Sequence, residues 1–266
     1  LRESDGRTLE QAIREVGGQP EVFAKREDIK AFLELHIEQG PVLESEGLDV
    51  GVVTAIAGIT RIEIIVEGRA DHAGTTPMDK RQDALTTAAW IALGVEELAR
   101  ALAGQGEAHF AATVGEFEMS PNAANVVPAR VRMLIDARAE RSEDMERFIA
   151  ELANGVGSIA EKTGVKADEL RIVSDNHPMP CDADLVDVLD AACEKVGARH
   201  RRMASGAGHD TAWMARITKA AMIFVPCAGG RSHTPDEAAK IEDIAQGAQV
   251  LFEAVLTLDK QLGEQG

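Results

Sequence analysis

The sequence predicts an α/β fold into which a smaller α+β unit is inserted. In the two outer parts, residues 1–50 and 174–266, strand patterns alternate with helix patterns, which is typical of α/β domains. The middle part, residues 51–173, instead has the order strand, helix, strand, strand, helix, strand, the pattern of a ferredoxin-like sandwich. A chain of 266 residues can bury one large core or two smaller ones. We therefore expect the outer parts to form one domain that the middle part interrupts.

Local patterns predict each element of the inserted unit. Alternating apolar residues predict strands at 61–67, 110–119, 129–138 and 169–174. An alanine- and leucine-rich stretch predicts a helix at 79–102, and Ser142 is a candidate N-cap for a helix reaching residue 163. In an antiparallel sheet of this order, both helices are expected on one face.

The outer parts combine two apolar strands with several helices. An alternating strand at 32–38 ends before Gly40, and the apolar run at 220–225 predicts a buried strand. Helical patterns predict helices at 8–16, 183–196, 210–216 and 242–262.

The composition argues against several classes of partner. The formal net charge of −17 disfavours nucleic acid and anionic membrane surfaces. The sequence has no long apolar run and no signal-peptide pattern, so a cytoplasmic protein is expected. Its three cysteines, an odd number without zinc-finger spacing, fit a reducing compartment better than a catalytic thiol.

Two histidines lie where strands pass into loops. In the strand at 32–38 the apolar side chains share one face, so Glu34, His36 and Glu38 share the other. His233 lies in a glycine-rich turn after the strand at 220–225. Neutral imidazole is a good zinc ligand. Each histidine taken singly is nonetheless more often a surface or core residue, so their surroundings decide the interpretation.

Five segments carry a resemblance to a known family. They are HIEQGPVLE at 36–44, DHAGTTPM at 71–78, PNAANVVP at 121–128 with DAR at 136–138, SGAGHD at 205–210, and SHTPDE at 232–237. In this order they resemble the M20-type zinc amidohydrolases that act on N-carbamoyl-L-amino acids, allantoate and ureidopropionate. The resemblance covers nearly the whole chain. It implies a partial zinc-hydrolase catalytic domain interrupted by a ferredoxin-like lid and dimerisation domain.

One departure from this family matters. Its members carry a first histidine, a bridging aspartate and two adjacent glutamates upstream of the first of these segments, and this chain has none of them. The chain also opens on Leu1, and its first predicted helix has no apolar strand before it. We therefore expect an N-terminally truncated catalytic domain with an incomplete metal site, inactive by itself.

The resemblance assigns the metal ligands. It implies two divalent ions, zinc by preference with manganese, cobalt or nickel open, and places His36 on one and His233 on the other. Two alternatives come from the residues themselves. His36 could be a solvated strand-end residue, and His233 could cap the helix that the segment at 234–237 resembles.

The resemblance also assigns residues to the substrate. It implies that Arg138 binds the carboxylate, that Asn125 hydrogen-bonds the substrate, and that His72 stabilises the oxyanion of the tetrahedral intermediate. Arg138 could instead pair with Asp136, Asn125 could form an Asx-turn, and His72 could cap the helix that follows its loop.

Two weaker assignments complete the candidate site. Gln39, next to the His36 strand, resembles a residue that contacts the ureido group. His209 follows a glycine-rich turn at a helix start, which favours anion binding and is equally an ordinary tight turn. Both are candidate substrate-binding residues.

The implied activity is hydrolysis of a ureido C–N bond, with release of an amine, ammonia and carbon dioxide. The resemblance also implies that the catalytic glutamate lies outside this chain, and that His72 and Asn125 act on the neighbouring subunit of a homodimer formed through the inserted domain. Two alternatives stay open: allantoate as the true substrate, and a non-catalytic dimerising or ligand-binding remnant. An M20 peptidase or deacylase is less favoured, because those relatives usually have an acidic ligand at the position of His36.

Overall fold

The computed structural model describes residues 6–21, 28–105 and 108–263 as two five-stranded sheets with helices packed on them. The described strands are β1 (Ala31–Ile37), β2 (Val50–Ile56), β3 (Gly58–Glu67), β4 (Phe110–Ser120), β5 (Arg130–Ala139), β6 (Lys166–Ala167), β7 (Arg171–Asn176), β8 (Met179–Pro180), β9 (His200–Ser205) and β10 (Lys219–Val225). The described helices are α1 (Leu9–Glu15), α2 (Val42–Glu46), α3 (Ala84–Ala103), α4 (Ser142–Thr163), α5 (Ala183–Val196), α6 (Asp210–Met214) and α7 (Ile241–Gly263).

The first sheet unites the two outer parts of the chain. Its strand order is β1–β10–β2, with β9 and β8 pairing with β2; β1 is parallel to β10, and β2 is antiparallel to β10. Helices α5 and α7 cover it, and the core includes Leu189, Met222 and Val250. Within the described residues β1 forms the edge, and all seven of its residues are only half-buried.

The second sheet is antiparallel and belongs to the inserted unit. Its strand order is β4–β5–β3, and β7 and β6 pair with the far side of β3. Helices α3 and α4 share one core with this sheet, which includes Ile62, Met133 and Phe148. The other face is polar: the Glu63 carboxylate, 7% exposed, pairs with Arg132 at 2.6 Å.

The passage between the sheets lies later than the sequence predicts. Strand β2 pairs with β10 and β9, so the chain enters the inserted sheet only at Gly58, and not near residue 51. It leaves after Asn176, and not near residue 173, since β8 already pairs with β2. Six of the seven residues of β2 are buried, so the strand lacks the alternation that would reveal it.

The observed start of α3 and the N-cap of α4 also differ from the sequence predictions. Helix α3 begins at Ala84 and not at residue 79, because Asp83 accepts hydrogen bonds from the N–H groups of Leu85 and Thr86. Helix α4 has Arg141 as its N-cap, so Ser142 is its first helical residue. The predicted end at residue 163 is confirmed.

The cysteines are buried free thiols. Burial raises the pKa of Cys181 and of Cys193 to about 12, so both are protonated at neutral pH. Among the described helices none is long and apolar enough to cross a membrane.

Candidate functional site

A cavity of about 440 Å³ lies where loops of the first sheet meet the inserted sheet. Its first-sheet wall comes from the ends of β9 and β10 and from the segments that follow β1, β9 and β10, and its other wall comes from the paired ends of β4 and β5. The residues that line it are Glu38, Gln39, Gly40, Pro41, Val42, His109, Ala111, Arg138, Met203, Ala204, Gly206, Ala207, Phe224, Ser232 and His233. The cavity therefore holds three of the predicted site residues: Gln39, Arg138 and His233.

A chain of hydrogen bonds joins the loop of Gln39 to the loop of His233. The Gln39 Nε2 donates to Ser232 Oγ at 2.8 Å, and Ser232 Oγ donates to Glu237 Oε2 at 2.9 Å. The same Glu237 oxygen accepts the backbone N–H of His233 at 2.8 Å. These contacts lower the pKa of Glu237, the His233 N–H most and the Ser232 hydroxyl next, with smaller contributions from the imidazoles of His233 and His36.

The backbone conformation of both loops allows the Gln39 loop and the His233 loop to pack together. Gln39 and His233 both have φ of 57°, in the left-handed region that non-glycine residues rarely adopt. A Cβ on Gly230 would lie 2.6 Å from the carbonyl carbon of Gly40, so only glycine allows the two loops to approach this closely. Glu38 fixes the same turn, because its buried carboxylate accepts the N–H groups of Val42 and Leu43, each at 2.8 Å.

His36 lies beside the cavity in a defined tautomer. Its Nδ1 is 2.8 Å from the carbonyl oxygen of Ile37, which can only accept, so Nδ1 carries the proton and the Nε2 lone pair is available. Its ring meets the ring of His209 edge-on, with centroids 4.7 Å apart. In this tautomer Nε2 is the ring nitrogen that could bind a metal ion.

His209 lies under His36 and does not line the cavity. Its side chain is 1% exposed, its Nε2 is 2.7 Å from Ser205 Oγ, and its Nδ1 has no hydrogen-bond partner among the described residues. Burial lowers the pKa of His209 to about 4, helped by the neighbouring His36, so its ring is neutral. The Glu34 carboxylate lies 4.0 Å from the open Nδ1 and is held by Thr211, through its N–H at 2.8 Å and its hydroxyl at 2.6 Å.

These donors suit a divalent metal ion. Glu34, His36 and His209 each offer one ligand atom, and the three atoms lie within 4.8 Å of one another. Two neutral imidazoles and a carboxylate are a donor set that zinc and similar ions accept. The buried, unpartnered Nδ1 of His209 is a polar atom that ordinarily requires a partner. His233 is not part of this group.

Arg138 lines the cavity and also forms an ion pair with Asp136. Its Nε donates to Asp136 Oδ1 at 2.7 Å, which is the pairing named above as the alternative, and its Nη1 donates to the carbonyl oxygen of Gly206 at 2.8 Å. The side chain is 34% exposed. Asp136 thus orients the guanidinium, whose Nη2 has no hydrogen bond among the described residues. Two roles can therefore coexist in Arg138: an ion pair and an open donor facing the cavity.

His72 and Asn125 lie together but away from the cavity. His72 pairs with Val126 as an isolated bridge, and the Ala73 N–H donates to the Asn125 carbonyl oxygen at 3.0 Å. The His72 Nδ1 accepts the N–H groups of Gly74 and Thr75, so its proton is on Nε2. Both residues are exposed.

Sequence reasoning missed Glu34 and His109 as site residues. Glu34 had a signal, since it shares the strand face of His36, but its partner Thr211 is distant in sequence. His109 belongs to no motif and no periodic pattern, so only the paired ends of β4 and β5 reveal it.

Comparisons with known proteins identify the family of the chain. The model of peptidase family M20/M25/M40 matches residues 7–257. The chain is 37% identical over 264 residues to an N-carbamoyl-L-amino-acid amidohydrolase of Paenarthrobacter aurescens, covering 98% of this chain and 63% of that protein. It is 38% identical over 226 residues to the allantoate amidohydrolase of Escherichia coli K12, covering 85% of this chain and 54% of that protein.

A solved structure shows the same fold. An amidase of the hydantoinase/carbamoylase family from Burkholderia multivorans superposes with a TM-score of 0.85 at 35% identity, covering 96% of this chain and 61% of that one. The chain thus spans less than two thirds of the length of these relatives. With the family model matching almost all of its length, this chain belongs to peptidase family M20/M25/M40.

Proposed function

We propose that the protein to which this chain belongs hydrolyses the ureido C–N bond of an N-carbamoyl-L-amino acid or a related ureido acid. One observation carries the proposal: Gln39, Arg138 and His233, from three distant segments, line one cavity that two parts of the fold enclose. The names of the two relatives support this reaction class. Allantoate is the alternative substrate, since it too carries ureido groups and a carboxylate.

Each candidate residue has one role in this proposal, and the roles of His72 and Asn125 require a partner subunit. Arg138, oriented by Asp136, would bind the substrate carboxylate through Nη2 and, on giving up Gly206, through Nη1. Gln39 would hold the ureido group. His72 would donate its Nε2–H to the developing oxyanion, and Asn125 would hydrogen-bond the substrate. His209 has a supporting role under His36, and contact with substrate would require it to leave its buried position.

We propose two divalent metal ions as cofactors. His36 would bind one through Nε2 and His233 the other, while Glu34 and His209 flank His36. When bound, such ions act as Lewis acids toward the ureido carbonyl. Glu38 is the carboxylate residue among those that line the cavity, and both of its oxygens accept N–H groups. We therefore expect the general base from outside this chain.

We further propose that the inserted unit is a ferredoxin-like lid through which two subunits associate. Its strand order, β7–β3–β5–β4, and its two helices on one face support the first statement. The apolar surface of α3 and α4 supports the second: a groove of about 320 Å³ lies between the two helices, and Leu93, outside that groove on α3, is 64% exposed. A dimer would also allow His72 and Asn125 to reach a cavity on the partner.

Hydrolysis assays on the whole protein test the activity. Zinc-loaded enzyme should release ammonia from N-carbamoyl-L-amino acids, allantoate or ureidopropionate, and chelator treatment should abolish it. Ureido acids that are bound without release of ammonia would instead support the non-catalytic remnant.

Sedimentation tests the assembly. We expect a two-fold dimer at micromolar concentration, and Leu93→Glu should shift it toward monomer if the α3–α4 face is the contact. A parent protein that sediments only as a monomer would overturn the dimer.

A further inference from the structure

His109 is a cavity residue to which neither a motif nor the proposed chemistry gives a role. It directly precedes β4, whose Ala111 lies opposite Arg138 in the sheet. Its backbone is fixed by Glu140, which accepts the His109 N–H at 2.9 Å through its carboxylate. Neither ring nitrogen of His109 has a hydrogen bond to a described residue. The inserted sheet thus places an imidazole with free hydrogen-bonding capacity in the cavity wall.

The side chains of His109 and Arg138 both contact Gly206. A Cβ added to Gly206 would lie 2.7 Å from His109 Nε2, so the imidazole touches the α-carbon of that glycine. The carbonyl oxygen of the same Gly206 accepts Arg138 Nη1 at 2.8 Å. The two side chains are therefore neighbours on one residue of the opposite wall.

The surroundings of the His109 ring favour its neutral form. Residue 109 as a whole is exposed, yet its ring is crowded, and burial lowers its pKa; Glu140 opposes that effect and Arg138 adds to it. A neutral imidazole has one donor and one acceptor, and so can pair with a hydroxyl or an amide group.

Geometry links this ring to one position of the substrate. If Arg138 binds the carboxylate, the carbon next to that carboxylate lies beside the wall that His109 forms. Beside His109 and Arg138 this wall contributes Ala111, and the opposite wall contributes Ala204 and Ala207; none of these three methyl side chains can form a hydrogen bond. We propose that His109 selects ureido acids by hydrogen bonding to a polar side chain borne by the α-carbon, an inference that rests on the proposed function.

The test compares two substrates that differ in one group. N-carbamoyl-L-serine and N-carbamoyl-L-2-aminobutyrate have nearly the same shape, with a hydroxyl in one replaced by a methyl in the other. If His109 forms one hydrogen bond with the serine hydroxyl, we expect the whole enzyme to prefer the serine derivative by roughly three- to tenfold in kcat/KM. His109→Leu should bring this ratio close to one.

Gly206→Ala provides a second variant by displacing the imidazole, so it should also lower the ratio. Gly208→Ala is the matched control, because a Cβ there meets nothing within 4 Å. If His109→Leu fails to fold, thermal melts still test the contact, since His109→Ala should restore part of the stability that Gly206→Ala removes.

The outcomes separate this inference from the proposed function. A parent enzyme without preference, or a ratio unchanged in His109→Leu, overturns the role of His109 and leaves ureido hydrolysis intact. Absence of turnover on both substrates, on N-carbamoylglycine and on the three ureido substrates named above overturns the proposed function and this inference with it.

Discussion

Gln39 and Ser232 are joined by a hydrogen bond of 2.8 Å although 193 residues separate them in the sequence. Both residues line the cavity, and their bond ties the turn after β1 to the loop after β10. It also places both loops against Glu237, so the positions of Gln39 and His233 depend on each other.

A double-mutant cycle should reveal this dependence in the folding of the chain itself. Gln39→Ala and Ser232→Ala should each lower the free energy of unfolding by about 1 kcal/mol, and the double variant by less than the sum. Urea denaturation measures these values. Ser158→Ala, which removes an exposed hydroxyl of α4, is the control and should stay within about 0.5 kcal/mol of the parent. Strict additivity would show that the bond contributes nothing.

Metal binding by the chain should depend on His36 and its buried neighbour. We expect the chain to bind Zn²⁺ or Co²⁺ less tightly than a complete site would, and His36→Ala to remove most of that affinity. His209→Asn should lower the affinity by about ten- to a hundredfold, because His209 holds the His36 ring. Calorimetric titration and the visible spectrum of bound Co²⁺ report both changes. His177→Ala, an exposed histidine after β7, should match the parent; equal binding by His36→Ala would contradict the assignment.

The isolated chain should not turn over ureido acids. Both oxygens of the buried Glu38 carboxylate accept N–H groups in the turn before α2, which holds the carboxylate in that turn and disfavours it as a general base in the cavity. Ammonia release should be undetectable for the pure 266-residue chain in the presence of zinc, and present for the whole protein. Zinc-dependent turnover by the chain, free of longer contaminants, would show that the base lies within it.

Substrate binding should weaken when the planar guanidinium group of Arg138 is replaced. In the whole enzyme Arg138→Ala removes a charge-assisted pair of about 1.5–3 kcal/mol, and Arg138→Lys cannot restore two parallel hydrogen bonds. Both variants should lose at least about tenfold in kcat/KM on a carboxylate substrate. A substrate with the carboxylate amidated should be poor with the parent and lose little more with either variant. If the lysine variant equals the parent, Arg138 serves only as the partner of Asp136.

Glu63 should make the inserted sheet sensitive to acid. Arg132 and then Arg171 lower the pKa of its carboxyl group by hydrogen bonding in the folded state. Its stabilising effect is therefore present above the pKa of the unfolded chain and is lost as pH falls through the lower, folded-state value. Glu63→Gln should lower Tm at pH 7, and the difference should shrink in strongly acidic buffer. The control is Glu118→Gln, since Glu118 is 70% exposed and 3.7 Å from Arg132.

The sequence predicted the parts of this fold that have a local signal. The amphipathic helices α4 and α7 and the alternating strand β5 follow from side-chain periodicity alone, which a helix or a half-buried strand imposes on its own residues. Strand β2 gave no such signal because both of its faces are buried. The position where the chain crosses between sheets was misplaced for that reason.

The candidate site likewise contains residues that the sequence could identify and contacts that only the fold reveals. The motif residues Gln39, Arg138 and His233 could be named before the fold was known, but their convergence on one cavity is a tertiary fact. The pairing of Glu34 with Thr211 spans 177 residues, so strand alternation could only show that Glu34 and His36 share a face. His109 is recognised as a cavity residue only from tertiary structure, which brings the end of β4 beside Arg138 and the imidazole against Gly206.

The left-handed backbone of Gln39 and His233 has a consequence for protein engineering. Each conformation costs on the order of 1 kcal/mol for a residue with a Cβ, and glycine would relieve it. A redesign that optimised thermal stability alone would therefore place glycine at both positions and erase two side chains of the cavity. Stability-guided libraries of this protein should keep positions 39 and 233 fixed, since the gain in melting temperature there would come at the expense of the site.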